Sequence, residues 1–269
     1  MADKLSGKAA WISGGASGMG EATANLFADE GAAVAIIDIQ RDLGEALAKR
    51  ISDRGGRAMF VHADVRSEEQ IAKSIDATVA AFGSLSIVVN CAGIVHVKLL
   101  HEYSEAEWDE LMGVNVKSIF FSIKHGLAQL TKNPRSYMVN IGSIGSFIGQ
   151  ACTPAYTTSK GAVLQLSRSI ALDYAAVGLR CNCVCPGITD TPMLRYHMSK
   201  AADPDAALRE RLRRVPMGTA LSSHDIAKAV LYLSCEDSSG VTGASLVIDG
   251  GYLAAAEWQS PAHTAFMDS

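Results

Sequence analysis

The sequence has few aromatic residues, few prolines and no long apolar run. Aromatic residues make up 6% of the 269 residues, and only 7 residues are proline. No apolar stretch approaches the roughly 18 residues that a membrane-spanning helix needs, and the first residues lack the apolar core of a signal peptide. We therefore expect a soluble, uncleaved protein with no membrane partner.

The 6 cysteines and 7 histidines lack the spacing that is typical of disulfide frameworks and metal sites. The sequence contains no C-x-x-C and no H-x-x-x-H pattern. Cys181, Cys183 and Cys185 alternate along one predicted strand, so all three point to the same face, as small core residues do. We therefore expect no metal ion and a reducing, cytoplasmic location.

The charge pattern gives no sign of a nucleic-acid partner. The formal net charge is −4, and the basic cluster at residues 209–214 is interrupted by Glu210 and Leu212. Such a mixed pattern is typical of a solvent-exposed helix face. We predict that location for the whole cluster, and a small-molecule partner for the protein.

The sequence does contain a regular alternation of strand-like and helical segments. Right-handed crossovers between such strands place helices on both faces of a sheet, and a chain that is 48% hydrophobic can bury a large core. We predict an α/β fold of the Rossmann type: a doubly wound, mostly parallel seven-stranded sheet in one domain, residues 1-269. The six strands predicted before the last one are residues 8–13, 32–37, 58–61, 86–89, 137–141 and 179–185.

A glycine-rich turn follows the first predicted strand. Gly14, Gly18 and Gly20 form the pattern G-x-x-x-G-x-G, which leads into a helical segment. The N–H groups at a helix N-terminus suit a pyrophosphate. Asp38 ends the second predicted strand, where a carboxylate accepts hydrogen bonds from adenosine ribose hydroxyls. Because this carboxylate repels the 2′-phosphate of NADP, the pattern predicts a dinucleotide site that favours NAD.

Tyr156 and Lys160 combine an acid-base group with a nearby cation. Residues four apart on a helix share a face, so the ammonium of Lys160 lies beside the phenol of Tyr156. A nearby cation favours the phenolate and makes the tyrosine usable as an acid or base. Ser143 follows a predicted strand and supplies a hydroxyl that donates a hydrogen bond to an oxygen on which charge develops. This arrangement suits hydride transfer at a carbinol or carbonyl carbon.

The glycine-rich turn, Asp38, Ser143, Tyr156 and Lys160 follow one another along the chain in the order of the corresponding motifs of the short-chain dehydrogenase/reductase family, and they resemble those motifs. The resemblance covers residues 8–251, with Ser13 where the family usually has Thr and with Cys91 as a mild variation. It implies a nicotinamide cofactor. The cofactor-binding residues that it implies are Gly14, Ser17, Gly18, Met19, Gly20, Asp38, Ile39, Asp64, Val65, Asn90, Ala92, Gly93, Tyr156, Lys160, Pro186, Gly187, Thr189 and Thr191.

The resemblance also implies four catalytic residues. Tyr156 exchanges a proton with the substrate oxygen, and Ser143 donates a hydrogen bond to that oxygen. Lys160 stabilises the phenolate and holds the nicotinamide ribose, while Asn115 relays protons through a water. The expected activity is that of an NAD-dependent alcohol dehydrogenase.

The substrate pocket implied by the resemblance includes a loop at residues 188-215. Its residues are largely apolar or aromatic, which favours a cyclic or aryl secondary alcohol and its ketone. Arg195 and Lys200 are the two side chains expected to be able to meet an anion instead. The implied substrate-binding residues are Ser143, Ile144, Gly145, Gln150, Tyr156, Met193 and Tyr196.

Two alternatives remain open at this stage. Arg41 follows Asp38 closely and could accept the phosphate of NADP, as in an NADPH-dependent 3-ketoacyl or polyketide-type ketoreductase with the same catalytic residues. A non-catalytic dinucleotide-binding regulator could use the same fold, although such proteins often lose the tyrosine or the lysine. The intact residues favour the dehydrogenase.

Assembly and the C-terminal tail are also predicted from the resemblance and the sequence. The family resemblance implies a homotetramer that forms through two long helices ending near Leu130 and Tyr174. The tail, residues 252-269, carries Trp258 and Phe266, whose large apolar side chains favour burial. We predict that Trp258 packs on a neighbouring subunit or over the substrate pocket; a solvated terminus is the alternative.

Overall fold

Seven parallel strands form the centre of the fold in the computed structural model, which describes residues 3–254. Their order across the sheet is β3-β2-β1-β4-β5-β6-β7, and each neighbouring pair is parallel. The predicted fold class is thus confirmed, with a sheet that is wholly parallel. The strands are β1 (Ala9–Ser13), β2 (Ala33–Asp38), β3 (Arg57–His62), β4 (Ile87–Asn90), β5 (Ser136–Ile141), β6 (Leu179–Pro186) and β7 (Ser245–Ile248).

Helices cover both faces of this sheet. Within residues 3–254 the α-helices are α1 (Gly18–Asp29), α2 (Arg41–Asp53), α3 (Glu68–Phe82), α4 (Glu105–Met112), α5 (Ser118–Leu130), α6 (Pro154–Tyr174), α7 (Pro192–Met198), α8 (Pro204–Leu212) and α9 (Ser223–Tyr232). Helices α1, α2 and α9 pack on one face, whereas α3, α5 and α6 pack on the other. None of these helices is both long and apolar enough to cross a membrane.

The strands are apolar almost throughout because both faces of the sheet are covered. Neighbouring side chains point to opposite faces, so Ile12 belongs to the core beneath α1 and Trp11 to the core beneath α3. Trp11 is fully buried, and its indole Nε1 donates a hydrogen bond to Oγ of Ser74 at 2.9 Å. The three alternating cysteines of β6 are buried on this second face, as predicted.

The strand order reverses between β1 and β4, which opens a crevice at the carboxyl ends of the strands. The last residues of four strands border this region. They are Ser13, Asp38, Asn90 and Pro186. Segments that follow the strands therefore meet at this edge of the sheet.

The predicted substrate loop, residues 188-215, contains the two short helices α7 and α8. Thr191 caps α7 by accepting a hydrogen bond from the N–H of Leu194, and Asp203 caps α8 in the same way from Ala206. The loop is thus largely helical. Trp258 and Phe266 lie outside the described residues, so the prediction for the tail stays a prediction.

Candidate active site

The glycine-rich turn brings the start of α1 close to the segment that follows β4. Gly14 has a φ of +62°, and a Cβ there would lie 2.7 Å from the backbone of Ala92. A Cβ on Gly20 would lie 2.0 Å from the carbonyl oxygen of Gly14. Ser17 stands at the N-cap of α1 and makes no side-chain hydrogen bond to the helix. The first N–H groups of α1 therefore lack a side-chain acceptor within the described residues.

A large cleft of about 570 Å³ lies over this turn. Many of the predicted cofactor residues line it, and Ile39 adds an apolar side chain that is 61% exposed. The predicted residues on its wall are Gly14, Ser17, Gly18, Met19, Asp38, Ile39, Asp64, Val65, Ala92, Gly93 and Thr191. An elongated group that contacts both the glycine turn and Asp38 fits this cleft.

A smaller cavity of about 110 Å³ adjoins the cleft and shares Met19, Val95, Thr191 and Met193 with it. We call this smaller cavity the substrate cavity because it is lined by residues predicted for catalysis, cofactor binding and substrate binding. They are Ser143, Ile144, Gln150, Tyr156, Pro186, Gly187, Thr189, Thr191 and Met193. Tyr196 lines the large cleft instead. Five predicted residues line neither space and are buried: Gly20, Asn90, Asn115, Gly145 and Lys160.

Asp38 is a buried carboxylate, 6% exposed, at the end of β2. Its Oδ2 accepts a hydrogen bond from the N–H of Ala16 at 3.0 Å, and its Oδ1 accepts one from the N–H of Gln40 at 3.0 Å. No basic side chain among residues 3–254 forms an ion pair with it. Arg41 pairs with Glu45 at 3.4 Å, one turn along α2. Arg41 therefore forms its ion pair with Glu45 rather than with Asp38.

Asp64 follows β3 and contacts Arg66 on the wall of the same cleft. Hydrogen bonds from the guanidinium of Arg66 hold the pKa of the Asp64 carboxyl below its usual range. Arg66 also lies 2.9 Å from a carboxylate oxygen of Glu110. The single cation of Arg66 therefore interacts with two carboxylates, those of Asp64 and Glu110.

Lys160 is a buried lysine, 4% exposed, that points from α6 towards the end of β5. Its Nζ donates a hydrogen bond to the carbonyl oxygen of Ile141 at 2.7 Å and lies 5.6 Å from the ring centre of Tyr156. An ammonium has three N–H donors. One donor is used by Ile141, which leaves the others for a ligand, a water or the phenol.

Asn115 lies in a π-helical turn, residues Gly113–Lys117, between α4 and α5. Its Oδ1 accepts a hydrogen bond from the N–H of Ile94 at 2.8 Å, and its Nδ2 donates to Oγ of Ser159 at 2.9 Å. A Cβ on Gly93 would lie 3.4 Å from Asn115 Oδ1 and 3.6 Å from Lys160 Nζ. Asn115, Gly93 and Lys160 are therefore immediate neighbours. π-helical turns are frequent at functional sites.

Ser143 is tied to α6 through a second serine. The N–H of Ser143 donates to Oγ of Ser146 at 3.2 Å, and that hydroxyl donates to the carbonyl oxygen of Lys160 at 2.8 Å. Oγ of Ser143 accepts a hydrogen bond from the N–H of Gly145 at 3.0 Å. The hydroxyl proton of Ser143 is left to donate into the substrate cavity.

Arg211 corrects the prediction that the whole basic cluster is a solvated helix face. The side chain is half-buried and lines the substrate cavity, whereas Arg209 and Arg213 are exposed. The reason is the rotation of α8, which turns only one side of the helix towards α7. The charge density in the sequence indicated a helix surface but did not show which residue faces inward.

The two side chains that were expected to meet an anion interact elsewhere. Arg195 forms an ion pair with Asp190 at 3.0 Å and is 70% exposed. Nζ of Lys200 lies 4.7 Å from the ring centre of Tyr196. The cation of residues 188-215 that lines the substrate cavity is Arg211, which was predicted to be solvated.

His197 contacts Arg211 inside the substrate cavity. The Nη2 of Arg211 lies 2.9 Å from Nε2 of His197. Burial, reinforced by the charge of Arg211, lowers the pKa of His197 to about 4. The imidazole is consequently neutral near pH 7 and accepts a hydrogen bond from the guanidinium.

One cysteine lines the candidate site. Cys91 lines the large cleft, and burial raises the pKa of its thiol to about 12, so the thiol stays protonated. Residues 3–254 contain no cluster of three or more His, Cys, Asp or Glu side chains that could hold a metal ion.

Comparison with known proteins identifies the family. The family model described as Enoyl-(Acyl carrier protein) reductase matches residues 14–253. The chain belongs to the short-chain dehydrogenase/reductase family. The crystal structure of levodione reductase superimposes with a TM-score of 0.90 and 28% identity, over 93% of this chain and 99% of that chain.

Two relatives in this family have names that describe their reactions. The chain is 35% identical to 2,5-dichloro-2,5-cyclohexadiene-1,4-diol dehydrogenase LinX of Sphingobium indicum, over 94% of this chain and 98% of that protein. It is 36% identical to cis-4-hydroxycyclohexanecarboxylate dehydrogenase of Sinomonas cyclohexanicum, over 94% of this chain and the full length of that protein. The protein is accordingly an oxidoreductase of a family whose members use a nicotinamide dinucleotide.

Proposed function

We propose that the protein is an NAD-dependent dehydrogenase that interconverts a ring-bearing secondary alcohol and its ketone. The observation that carries this proposal is the meeting of Ser143 and Tyr156 in one cavity next to the dinucleotide cleft. Two enzymes that resemble the chain have cyclic alcohols in their names. The apolar side chains of Val95, Ile144 and Leu194 on the wall of the substrate cavity suit such a ring.

The choice of NAD over NADP is supported by Asp38. This buried carboxylate accepts hydrogen bonds only from uncharged donors: the N–H of Ala16, the N–H of Gln40 and the side-chain amide of Gln40. Its oxygens can therefore accept further hydrogen bonds from ribose hydroxyls. A 2′-phosphate at the same place would meet a like charge, which costs binding free energy. Arg41 pairs with Glu45 on the exposed surface of α2, and no cation among the described residues forms an ion pair with Asp38. This argument disfavours the NADPH-dependent ketoreductase.

Proton transfer is assigned to Tyr156. As phenolate it accepts the hydroxyl proton of the alcohol, while Ser143 donates a hydrogen bond to the same oxygen. Lys160 stabilises the phenolate electrostatically, since its ammonium lies near the ring and is nearly excluded from water. Asn115 holds the segment around Ile94 and Gly93 against α6, and we assign it to the water-mediated proton path. The nicotinamide, when bound, supplies the hydride acceptor.

We also propose a cytoplasmic homotetramer. All 6 cysteines are unpaired thiols, which suits a reducing compartment. On the two helices predicted to form the subunit contact, Phe120 of α5 is 48% exposed and Leu172 of α6 is 83% exposed. Large apolar side chains exposed on neighbouring helices suit burial against another subunit.

The test is a panel of secondary alcohols incubated with purified protein and NAD or NADP, with formation of reduced cofactor followed at 340 nm. We expect turnover of cyclic secondary alcohols with NAD. A non-catalytic dinucleotide-binding regulator would bind NAD, as measured by calorimetry, but no alcohol in the panel would lead to reduction of that NAD. That result would contradict the proposed function.

A further inference from the structure

Arg211 is a cation inside the cavity that holds the predicted catalytic hydroxyls. It lines the substrate cavity together with Ser143 and Tyr156, although it comes from α8, far away in sequence. Its side chain is half-buried rather than extended into solvent. Burial lowers the pKa of this guanidinium from its usual value, which measures the cost of keeping a charge there.

The interactions within the chain do not compensate this charge. The guanidinium contacts only His197 among the hydrogen-bond partners in residues 3–254, through distances of 2.9 and 3.4 Å to the two ring nitrogens. A neutral imidazole has one acceptor nitrogen, whereas a guanidinium has five N–H donors. No carboxylate within the described residues forms an ion pair with Arg211. Four donors therefore remain for water or for a ligand.

Three other arginines of the same region have partners, and Arg209, which has no ion pair among the described residues, is exposed to solvent. Arg195 pairs with Asp190 and Arg213 pairs with Glu210. The guanidinium carbon of Arg214 lies 5.0 Å from the ring centre of Tyr252. A general excess of basic side chains on α8 therefore does not explain the inward position of Arg211.

We propose that Arg211 binds a carboxylate of the substrate, so that the substrate is a secondary alcohol that also carries a carboxyl group. Arginine presents parallel N–H donors that match the two oxygens of a carboxylate, and such charge-assisted pairs are strong when partly buried. His197 serves as a positioning residue, because its acceptor nitrogen orients the guanidinium. Val95, Ile144 and Leu194, which line the same cavity, contact the carbon skeleton. The inference rests on the proposed function and specifies its substrate class.

The test measures ligand binding and does not depend on turnover. Cyclohexanecarboxylate and cyclohexanecarboxamide have nearly the same shape and differ in charge. We would measure the dissociation constant of each by calorimetry on the full-length protein saturated with NAD. We expect the carboxylate to bind at least about tenfold more tightly than the amide.

Variants assign that preference to one side chain. Arg211→Met removes the charge and keeps much of the chain length, so the preference for the carboxylate should vanish while NAD affinity is unchanged. Arg211→Lys should retain part of it, because the positive charge remains without the paired donors. Arg209→Met, two residues away on the exposed side of α8, is the matched control and should keep the full preference.

Equal affinity for acid and amide in the wild-type protein, or no binding of either, would overturn the proposal. A preference for the carboxylate that persists in Arg211→Met would also overturn the proposal. A loss of NAD affinity in that variant would do the same, because it would show that Arg211 binds the cofactor. The preference is the ratio of two dissociation constants measured on the same protein sample. Partial unfolding of a variant affects both measurements equally and therefore does not change this ratio. Failure of the proposed function would appear separately, as absence of reduced NAD with every alcohol.

Discussion

At the scale of single residues, the candidate site contains three buried or half-buried charges. Lys160 donates one hydrogen bond to a carbonyl, Asp38 accepts hydrogen bonds from uncharged donors, and Arg211 contacts a neutral histidine. A charge removed from water is costly unless it is paired. These three side chains therefore have unused hydrogen-bonding capacity where a cofactor or substrate can satisfy it.

The first prediction concerns Asp38. In the wild-type protein NAD should exceed NADP in kcat/KM by at least about tenfold, which corresponds to roughly 1.4 kcal/mol. Asp38→Ala should narrow that ratio, because the repulsion of the 2′-phosphate is lost together with the acceptor for the ribose. Initial rates with both cofactors measure the ratio.

Asp42→Ala is the matched control for this change, since Asp42 is an exposed acid in the first turn of α2. It should leave the ratio unchanged. Equal use of NAD and NADP by the wild-type protein would show that Asp38 does not contact the ribose.

At the scale of elements, the turn between β1 and α1 and the start of α6 determine where the site lies. Gly20 is packed against the carbonyl of Gly14, so the helix begins as close to β1 as a backbone allows. The chain Ser143, Ser146 and Lys160 links the end of β5 to α6 by hydrogen bonds. These contacts orient the glycine turn and Tyr156 towards the same crevice.

The second prediction follows from the glycine turn. In Gly20→Ala the new methyl group would lie 2.0 Å from the oxygen of Gly14, so the turn must open. We expect NAD affinity to fall by at least about tenfold, since the N–H groups of α1 shift away from the pyrophosphate. Calorimetry with NAD measures the change.

Gly161→Ala provides the comparison. Gly161 lies inside α6, and a Cβ there has no neighbour within 4 Å. This variant should bind NAD as the wild type does and gain about 0.5–1 kcal/mol of stability, because alanine favours helix over glycine. If Gly20→Ala and Gly161→Ala bound NAD with the same affinity, the conclusion that the glycine-rich turn binds the pyrophosphate would be contradicted.

The elements were predictable from sequence because their signals are local. Apolar runs such as residues 32–37 predicted strands, and the glycine spacing predicted the turn before α1. The location of Arg211 was not predictable in this way, because the rotation of α8 depends on packing against α7 rather than on local sequence. The position of Tyr196 in the large cleft rather than the substrate cavity follows from the same rotation of short helices in residues 188-215.

At the scale of the whole molecule, the third prediction concerns assembly. Leu172 is 83% exposed on α6, and a charge there should prevent its burial against another subunit. We expect the wild-type protein to be a tetramer in size-exclusion chromatography with light scattering and Leu172→Glu to form smaller species. Leu43→Glu, at an apolar residue of α2 that is 50% exposed, should remain tetrameric. A monomeric wild-type protein would contradict the proposed assembly.

The central claim is that Tyr156 transfers the substrate proton next to a bound NAD. Tyr156→Phe tests it most directly, because the ring and the packing of α6 remain while the reactive oxygen is removed. The measurement is the rate of NADH formation at 340 nm with a cyclic secondary alcohol, together with the NAD dissociation constant of the same sample. We predict that turnover falls by about 10²–10⁴-fold or more while NAD binding is unchanged. Turnover within about tenfold of the wild type would contradict the account.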